Sequence, residues 1–165
     1  ISKQDVSFVP LFRGLPSDEL ERVLKFAAVE DFAAGRTLIN EGAKSANLMY
    51  VILNGEVDIL KRNTMGNDIL ITTLKRGQFF GEMALFMREP RTATARSRTP
   101  VRLLILARSN FERMMNSEPR VTARIMHVFV QALATRLNET NIQLAALQQD
   151  NNETPRYQAR QAVQA

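Results

Sequence analysis

Glu82 and Arg91 are the two charged residues whose spacing along the chain points to ligand binding. Gly81 allows the backbone to turn sharply after an apolar run, and residues 82–86 can form one helical turn whose unpaired N–H groups attract an anion. Arg91 follows Glu82 by nine residues, so a loop that closes this turn brings a guanidinium to the same anion. A guanidinium can donate to two phosphate oxygens at once. The spacing therefore predicts a phosphate-binding site.

Glu82 is unusual in such a site because a carboxylate repels a phosphate. It fits if it accepts hydrogen bonds from hydroxyl groups of the same ligand, and ribose supplies such hydroxyls. The small side chains of Ala93 and Ala95 leave volume for this ligand on an inward-facing strand. Together these features predict a nucleotide. The alternative from residue types alone is a solvated salt bridge between Glu82 and Arg91, with glycines that only form turns.

The composition argues against catalytic and metal chemistry. The 165 residues are 45% apolar, enough for one domain with a buried core, and they include no cysteine. The lack of cysteine excludes thiolate zinc sites and cysteine nucleophiles, and it agrees with a reducing cytoplasm. The single histidine, His127, has no patterned carboxylate or second histidine beside it. From the missing cysteine and the isolated histidine, we expect that the protein is not an enzyme and binds no metal. No apolar run is long enough to cross a membrane, so we also expect a cytoplasmic protein that does not enter a membrane.

The net charge of +5 is concentrated between residues 88 and 113, a stretch with seven arginines and two acids. Basic clusters are typical of nucleic-acid-binding proteins. The residues after 149, however, contain no apolar-patterned helix pair and no basic recognition helix. We therefore expect no DNA binding by this chain. Most of these arginines should lie on solvated exterior positions, with one or two at the anion site.

The predicted fold is mainly β with flanking helices. An apolar stripe and an N-cap at Ser17 predict a helix over residues 17–28. From residue 29 to residue 107, short apolar or alternating runs are separated by Gly, Asn and Asp, as in a β-barrel or double-stranded jelly roll. The run 48–53 is apolar on both faces and should be a central strand. The predicted strands are 37–40, 48–53, 56–61, 69–74, 92–98 and 101–107.

Two helices are predicted after the strands, a short one over 109–115 and a long one over 120–149. A heptad seam on the long helix predicts a homodimer through 120–149. The alternative is a helix that lies wholly on its own barrel. Residues 150–165 are polar and predict a linker or frayed tail. The seam consists of Ala123, Met126, Val130, Leu133, Leu137, Thr140, Leu144 and Leu147.

The run GEMALFMREPRTAT, residues 81–94, resembles the phosphate-binding cassette of cyclic-nucleotide-binding domains, and the wider resemblance covers about residues 8–147. It implies that Glu82 binds the ribose 2′-hydroxyl and that Arg91 pairs with the cyclic phosphate. It also implies that the backbones of Gly81, Ala84 and Thr92, with the Thr92 hydroxyl, complete the site. The ligand-binding residues implied in this segment are Phe80, Gly81, Glu82, Met83, Ala84, Arg91, Thr92 and Ala93.

The long helix resembles the dimer helix of the bacterial members of this family, in which polar seam residues reach the purine. By position, the resemblance implies that Arg136, Thr140 and Asn141 cover the base. It further implies one sensor domain over residues 1–149. The parts of this domain are a helical segment at 8–28, the barrel at 29–107 and the C-terminal helices at 108–149.

The implied function is a sensor that binds one cyclic mononucleotide and passes its occupancy to a fused or partner output domain. By analogy with the bacterial members, cAMP is the expected regulatory ligand. The alternative ligand is cGMP, because Thr92 directly follows the cassette arginine, as in cGMP-dependent kinases. The alternative function is the truncated sensor half of a catabolite activator-like transcription regulator.

Overall fold

The computed structural model describes the backbone of residues 6–44 and 47–162, with side chains as far as residue 148. The chain divides into two units, Ile1–Ile125 and Met126–Ala165. The first unit contains every strand and the helices that pack on them. The second consists of the continuation of the last helix.

The centre of the first unit is a pair of four-stranded antiparallel sheets, ordered β1-β8-β3-β6 and β2-β7-β4-β5. This arrangement confirms the sheet-rich fold with flanking helices, and the two sheets are not closed into a barrel. The strands are β1 (Ala27–Phe32), β2 (Thr37–Ile39), β3 (Leu48–Asn54), β4 (Val57–Arg62), β5 (Asp68–Leu74), β6 (Phe79–Phe80), β7 (Thr94–Ser97) and β8 (Val101–Ala107).

The hydrophobic core lies on strands of both sheets. Strand β3 has five consecutive buried residues and pairs with β8 on one side and β6 on the other, so the predicted central position of this strand is confirmed. Burial on both faces explains why its sequence does not alternate. The buried cluster comprises Ile39, Tyr50, Ile52, Val57, Leu74, Phe80, Ala95, Val101 and Leu103.

The first helix, α1 (Ser17–Leu24), is shorter than its sequence pattern predicts. Its buried residues are Leu20, Val23 and Leu24, which belong to the expected apolar stripe. The helix ends before Ala27 because Ala27 and Ala28 pair with strand β8 and form the beginning of β1. Alanine favours a helix intrinsically, so here tertiary pairing overrides local propensity.

Strand β5 lies at the edge of its sheet, paired on one side with β4. Three consecutive apolar residues of this strand, Ile69, Leu70 and Ile71, are exposed, and Ile71 retains 60% of its accessible surface. Because successive side chains of a strand point to opposite faces, both faces of β5 are in contact with solvent at this point.

Helix α2 (Met83–Phe86) follows β6. Helices α3 (Arg108–Ser117) and α4 (Pro119–Ala162) follow β8. The Thr122 hydroxyl donates to the Met114 carbonyl at 3.1 Å and thereby links the start of α4 to α3. In the second unit, Val130, Leu137 and Leu144 recur at intervals of seven residues and are exposed, Leu137 to 62%. The helix continues to Ala162, beyond the end near residue 149 that composition predicts.

Candidate functional site

The site begins at Gly81, between strand β6 and helix α2. Gly81 has a φ of +76°, a conformation that residues with a Cβ atom rarely adopt. A Cβ atom at this position would lie 3.0 Å from the Leu48 carbonyl oxygen and 3.1 Å from Cδ1 of Ile39. Strand β3 therefore approaches the turn so closely that glycine is required for both conformation and space.

Glu82 directly precedes α2 and is buried, with 7% of its surface exposed. The backbone of Glu82 has helical φ and ψ angles, so this residue extends α2 at its N-terminal end. Every buried side-chain nitrogen and oxygen in the described part of the chain has a hydrogen-bond partner. A buried carboxylate at this place is not the solvated surface group that residue type alone leaves open.

Arg91 reaches back to the same turn. Its Nη1 atom donates to the Gly81 carbonyl at 3.2 Å, and its Nη2 atom donates to the Leu48 carbonyl at 2.8 Å. Burial lowers the pKa of Arg91 from its usual value, while the charge of Glu82 acts in the opposite direction. The structure therefore brings Gly81, Glu82 and Arg91 together, as their spacing predicts.

The backbone of Arg91 is fixed by the loop that follows strand β2. The Arg91 N–H donates to the Ala43 carbonyl at 3.0 Å, and the Gly42 N–H donates to the Arg91 carbonyl at 2.8 Å. Three residues later, the Thr94 hydroxyl accepts the Glu41 N–H at 3.1 Å. These reciprocal bonds hold the cassette arginine in place independently of any ligand.

Lys61, on strand β4, binds Thr92 and forms an ion pair with Glu41 in the loop after β2. The Lys61 ammonium on β4 donates to the Thr92 carbonyl and lies 2.7 Å from the Glu41 carboxylate. The same carboxylate accepts the Arg62 N–H at 2.9 Å. The Lys61 bond, followed by the Arg62 bond, lowers the pKa of Glu41. The Thr92 carbonyl is thus occupied, while Thr92 itself is exposed.

Helix α2 uses some of its own N–H groups. The Ala84 N–H donates to the Gly81 carbonyl at 3.2 Å, and the Leu85 N–H donates to the Glu82 carbonyl at 2.9 Å. An anion at the start of the turn would have to compete with the longer of these bonds at Ala84. Among the predicted site residues of this segment, Ala84 is buried and Met83 is exposed.

Tyr50 lies beside the candidate site, and sequence reasoning did not single it out. Its ring stacks on Phe80 with centroids 5.0 Å apart and an angle of 14° between the planes. Burial raises the pKa of Tyr50, and the nearby positive charge of Arg91 opposes that shift. In the sequence Tyr50 is one apolar-type residue within a buried strand, so no local signal distinguishes it from the core.

Arg108 is the second residue that the sequence did not single out. It is the first residue of α3, and only 9% of its surface is exposed. Its Nε atom donates to the Ala84 carbonyl at 2.8 Å, and its Nη2 atom donates to the Met87 carbonyl. In the sequence it is one of seven arginines in the basic stretch, and spacing alone does not show which of them is buried.

The remaining predicted residues occupy different surroundings. Ala93 is half-buried just before strand β7. Arg136, Thr140 and Asn141 lie in the second unit, where Arg136 is half-buried and the other two are exposed. The Thr140 hydroxyl donates to the Arg136 carbonyl at 2.8 Å within the helix. Their predicted contact with a base stays a prediction.

No group of three or more histidine, aspartate or glutamate side chains within residues 6–44 and 47–148 of the described chain is arranged to hold a metal ion. None of its helices is both long and apolar enough to cross a bilayer. A surface cleft of about 270 Å³ at the end of α1, lined by Glu21, Leu24, Lys25 and Ala27, contains none of the site residues.

The chain resembles known regulatory proteins in sequence. The chain is 30% identical over 137 residues to a CRP-like cAMP-activated global transcriptional regulator of Mycobacterium tuberculosis, an alignment that covers 83% of the chain and 59% of the regulator. It is 32% identical over 107 residues to the cAMP-dependent protein kinase regulatory subunit of Aspergillus fumigatus, covering 65% of the chain and 25% of the subunit. The chain thus spans less than two thirds of the length of each of these relatives.

A solved structure shares the fold. The Thermus thermophilus catabolite activator protein superposes with a TM-score of 0.73 at 26% identity, over 84% of this chain and 62% of that one. The family model described as "cyclic nucleotide-binding domain" matches residues 29–118, a range that contains the Gly81 turn, Arg91 and Arg108. The chain therefore belongs to the cyclic nucleotide-binding domain family.

Proposed function

We propose that this chain is a non-catalytic sensor that binds a cyclic mononucleotide, with cAMP preferred over cGMP, at the Gly81 turn. The observation that carries this function is the position of a buried carboxylate and a guanidinium at one glycine turn: Glu82 directly precedes α2, and Arg91 donates to the Gly81 carbonyl. A ligand that binds both groups must present an anion and hydroxyl donors close together. A ribose joined to a phosphodiester has this combination.

In the proposed complex, the Arg91 guanidinium pairs with the cyclic phosphate and Glu82 accepts a hydrogen bond from the ribose 2′-hydroxyl. Partial burial of Arg91 strengthens such a pair because less water screens the charges. The preference for cAMP is supported by the names of the relatives, one cAMP-activated and the other cAMP-dependent. Arg136, Thr140 and Asn141 are proposed to cover the base.

The proposed output runs through the C-terminal helices. The exposed apolar positions Val130, Leu137 and Leu144, spaced by heptads, support a homodimer through residues 120–149. A ligand regulates such a protein by binding one conformation better than another. We propose that occupancy of the site is passed along this helix to a fused or partner output domain, with residues 150–165 as the linker.

A second candidate function is the sensor half of a catabolite activator-like transcription regulator. It is favoured by the similarity to the regulator of M. tuberculosis, of which this chain spans 59%. The test is binding of the full-length gene product to DNA fragments, with and without cAMP, over a range of salt concentrations. Ligand-dependent DNA binding supports this function, and ligand binding without DNA binding refutes it.

The test of the main proposal is calorimetric titration of the chain with cAMP and cGMP, repeated on Arg91→Ala. Loss of a charge-assisted phosphate contact should weaken binding by about 30- to 800-fold, on the order of 2–4 kcal/mol. Arg88→Ala is the matched control, because Arg88 is an exposed arginine of the same loop. Equal effects of the two substitutions, or no binding of either nucleotide by the unmodified chain, would refute the site. Chromatography of the titrated samples should recover the nucleotide intact.

A further inference from the structure

Arg108 is a buried arginine that caps the carbonyl end of helix α2. Its Nε donates to the carbonyl of Ala84 at 2.8 Å, and its Nη2 donates to the carbonyl of Met87, the residue directly after the helix. The last carbonyl groups of a helical turn have no partner within the helix. One planar guanidinium therefore satisfies two carbonyl groups at the end of α2 opposite to Glu82.

Within the described part of the chain, the side-chain partners of Arg108 are carbonyl groups. Among the side chains that the structure describes, no carboxylate forms an ion pair with it. Burying a charged group is costly unless it is hydrogen-bonded, so these carbonyl contacts are needed to keep the guanidinium in place. Arg108 also lies close enough to Arg91 for its charge to lower the pKa of that group. Two cations thus flank the same turn.

The two arginines are anchored to adjacent residues of the chain. The Arg108 N–H donates to the Asn47 carbonyl at 2.8 Å, and Nη2 of Arg91 donates to the Leu48 carbonyl at 2.8 Å. Leu48 also pairs with Ala107, the residue before Arg108. The segment between Gly81 and Arg91 is consequently attached to the start of strand β3 in two ways: directly through Arg91, and through Arg108, which binds the carbonyl groups of Ala84 and Met87.

We propose that Arg108 is a positioning residue for ligand binding: by holding the carbonyl end of α2, it keeps the opposite end and Glu82 in place beside Arg91. It does not contact the ligand in this arrangement. This role rests on the proposed function of the Gly81 turn, because what is positioned is the cyclic-nucleotide site. If Arg108 only stabilised the fold, its substitution would lower the stability of the whole domain and would not loosen α2 more than the rest.

The test compares Arg108→Gln and Arg108→Lys with the control Arg113→Gln. Arg113 is an exposed arginine of the same helix, and its nearest side-chain acceptor is Asn110 at 3.5 Å. Calorimetric titration should show that Arg108→Gln binds cAMP at least about tenfold more weakly than the unmodified chain does. The loss should be smaller for Arg108→Lys, which keeps the charge but not the fork, and Arg113→Gln should bind like the unmodified chain.

The second readout is amide hydrogen exchange in the ligand-free protein, followed by NMR. The amides of Leu85 and Met87 donate within the α2 turn, to Glu82 and Met83. In Arg108→Gln they should exchange faster, while the Ile52 amide, which bonds to Gln78 beside β3, should keep its rate. This local pattern is the signature of a positioning role, because a general loss of stability would accelerate all three.

Two results would overturn this inference: cAMP affinity unchanged in Arg108→Gln, or exchange that rises equally at Leu85, Met87 and Ile52. If Arg108→Gln does not fold, the same measurements are made on Arg108→Lys. Unchanged cAMP affinity together with unchanged exchange at Leu85 and Met87 in that variant then overturns the positioning role of Arg108. Failure of the unmodified chain to bind any cyclic nucleotide refutes the proposed function instead. The exchange comparison in the ligand-free protein separates that outcome from failure of the Arg108 contact.

Discussion

Nη1 of Arg91 lies 3.2 Å from the position that a Cβ atom on Gly81 would occupy. The arginine therefore fills the space that a larger residue would need, and Gly81 also has a left-handed φ of +76°. We expect Gly81→Ala to lower the free energy of unfolding by about 1–3 kcal/mol through backbone strain and contact with Leu48. We also expect it to weaken cAMP binding by displacing the guanidinium. Denaturant unfolding and calorimetric titration measure the two effects.

Gly66→Ala is the matched control. Gly66 has a φ of +84°, and no atom lies within 4 Å of its ideal Cβ position. Gly66→Ala should therefore introduce the strain of a left-handed backbone but no close contact of the new methyl group. It should leave the affinity for cAMP unchanged. If the two substitutions weaken binding equally, the close approach of Arg91 to Gly81 does not matter for the site.

Glu82→Gln should reduce discrimination between cAMP and 2′-deoxy-cAMP. The proposed bond from the ribose 2′-hydroxyl to a carboxylate is charge-assisted and contributes about 1.5–3 kcal/mol, or on the order of 10- to 150-fold in affinity. The unmodified chain should prefer cAMP by a factor of this order, and the variant should bind the two ligands more equally. Competition titration with both nucleotides measures the ratio. A ratio unchanged by the substitution would remove Glu82 from ribose recognition.

Acid should weaken the contact between Glu41 and Lys61. The folded-state pKa of Glu41 is lowered from its ordinary value of 4.5, first by the Lys61 bond and then by the Arg62 bond. A carboxyl group with a depressed folded pKa contributes stability above its unfolded pKa, and this contribution is lost as the pH falls through the folded pKa. Between about pH 6 and about pH 3, the unmodified chain should therefore lose more stability than Lys61→Met.

Denaturant midpoints at several pH values provide the measurement. Lys75→Met is the control, because Lys75 is an exposed lysine whose nearest carboxylate oxygen, on Glu56, lies 3.9 Å away. Its pH dependence should follow that of the unmodified chain. Parallel curves for all three proteins would show that the Glu41 contact contributes nothing.

Leu137→Glu should separate the proposed dimer. Leu137 is 62% exposed in the second unit and belongs to the heptad series of Val130 and Leu144, so a charge there would be buried at a dimer seam without a partner. Sedimentation velocity should show the unmodified chain as a dimer and the variant as a monomer. Asn138→Glu places the same charge on the next residue, outside the seam, and should stay dimeric. An unchanged profile for Leu137→Glu would refute the seam.

The sequence was sufficient to predict the features that depend on neighbouring residues. Gly81, Glu82 and Arg91 lie within eleven positions of each other, and one turn with its returning loop brings them together. Strand β3 was predicted as central because its apolar run requires burial on both faces. The alternation of short apolar runs with turn residues likewise predicted the mainly-β fold.

The features that sequence reasoning missed depend on contacts between distant residues. Tyr50 lies beside the site because β3 pairs with the two-residue strand β6, which has no recognisable pattern of its own. Arg108 meets Ala84 across 24 positions. The end of α1 at Leu24 likewise depends on pairing of Ala27 with Leu106. Local propensity contains no information about any of these partners.

The unpaired edge of strand β5 has a practical consequence for work with this chain in solution. An edge strand that exposes apolar residues on both faces is a template for strand addition by a second molecule. At high concentration we therefore expect a slow, ligand-independent self-association that Leu137→Glu does not suppress. Leu70→Lys should block it and keep concentrated samples dispersed without altering the glycine turn at which nucleotide is proposed to bind.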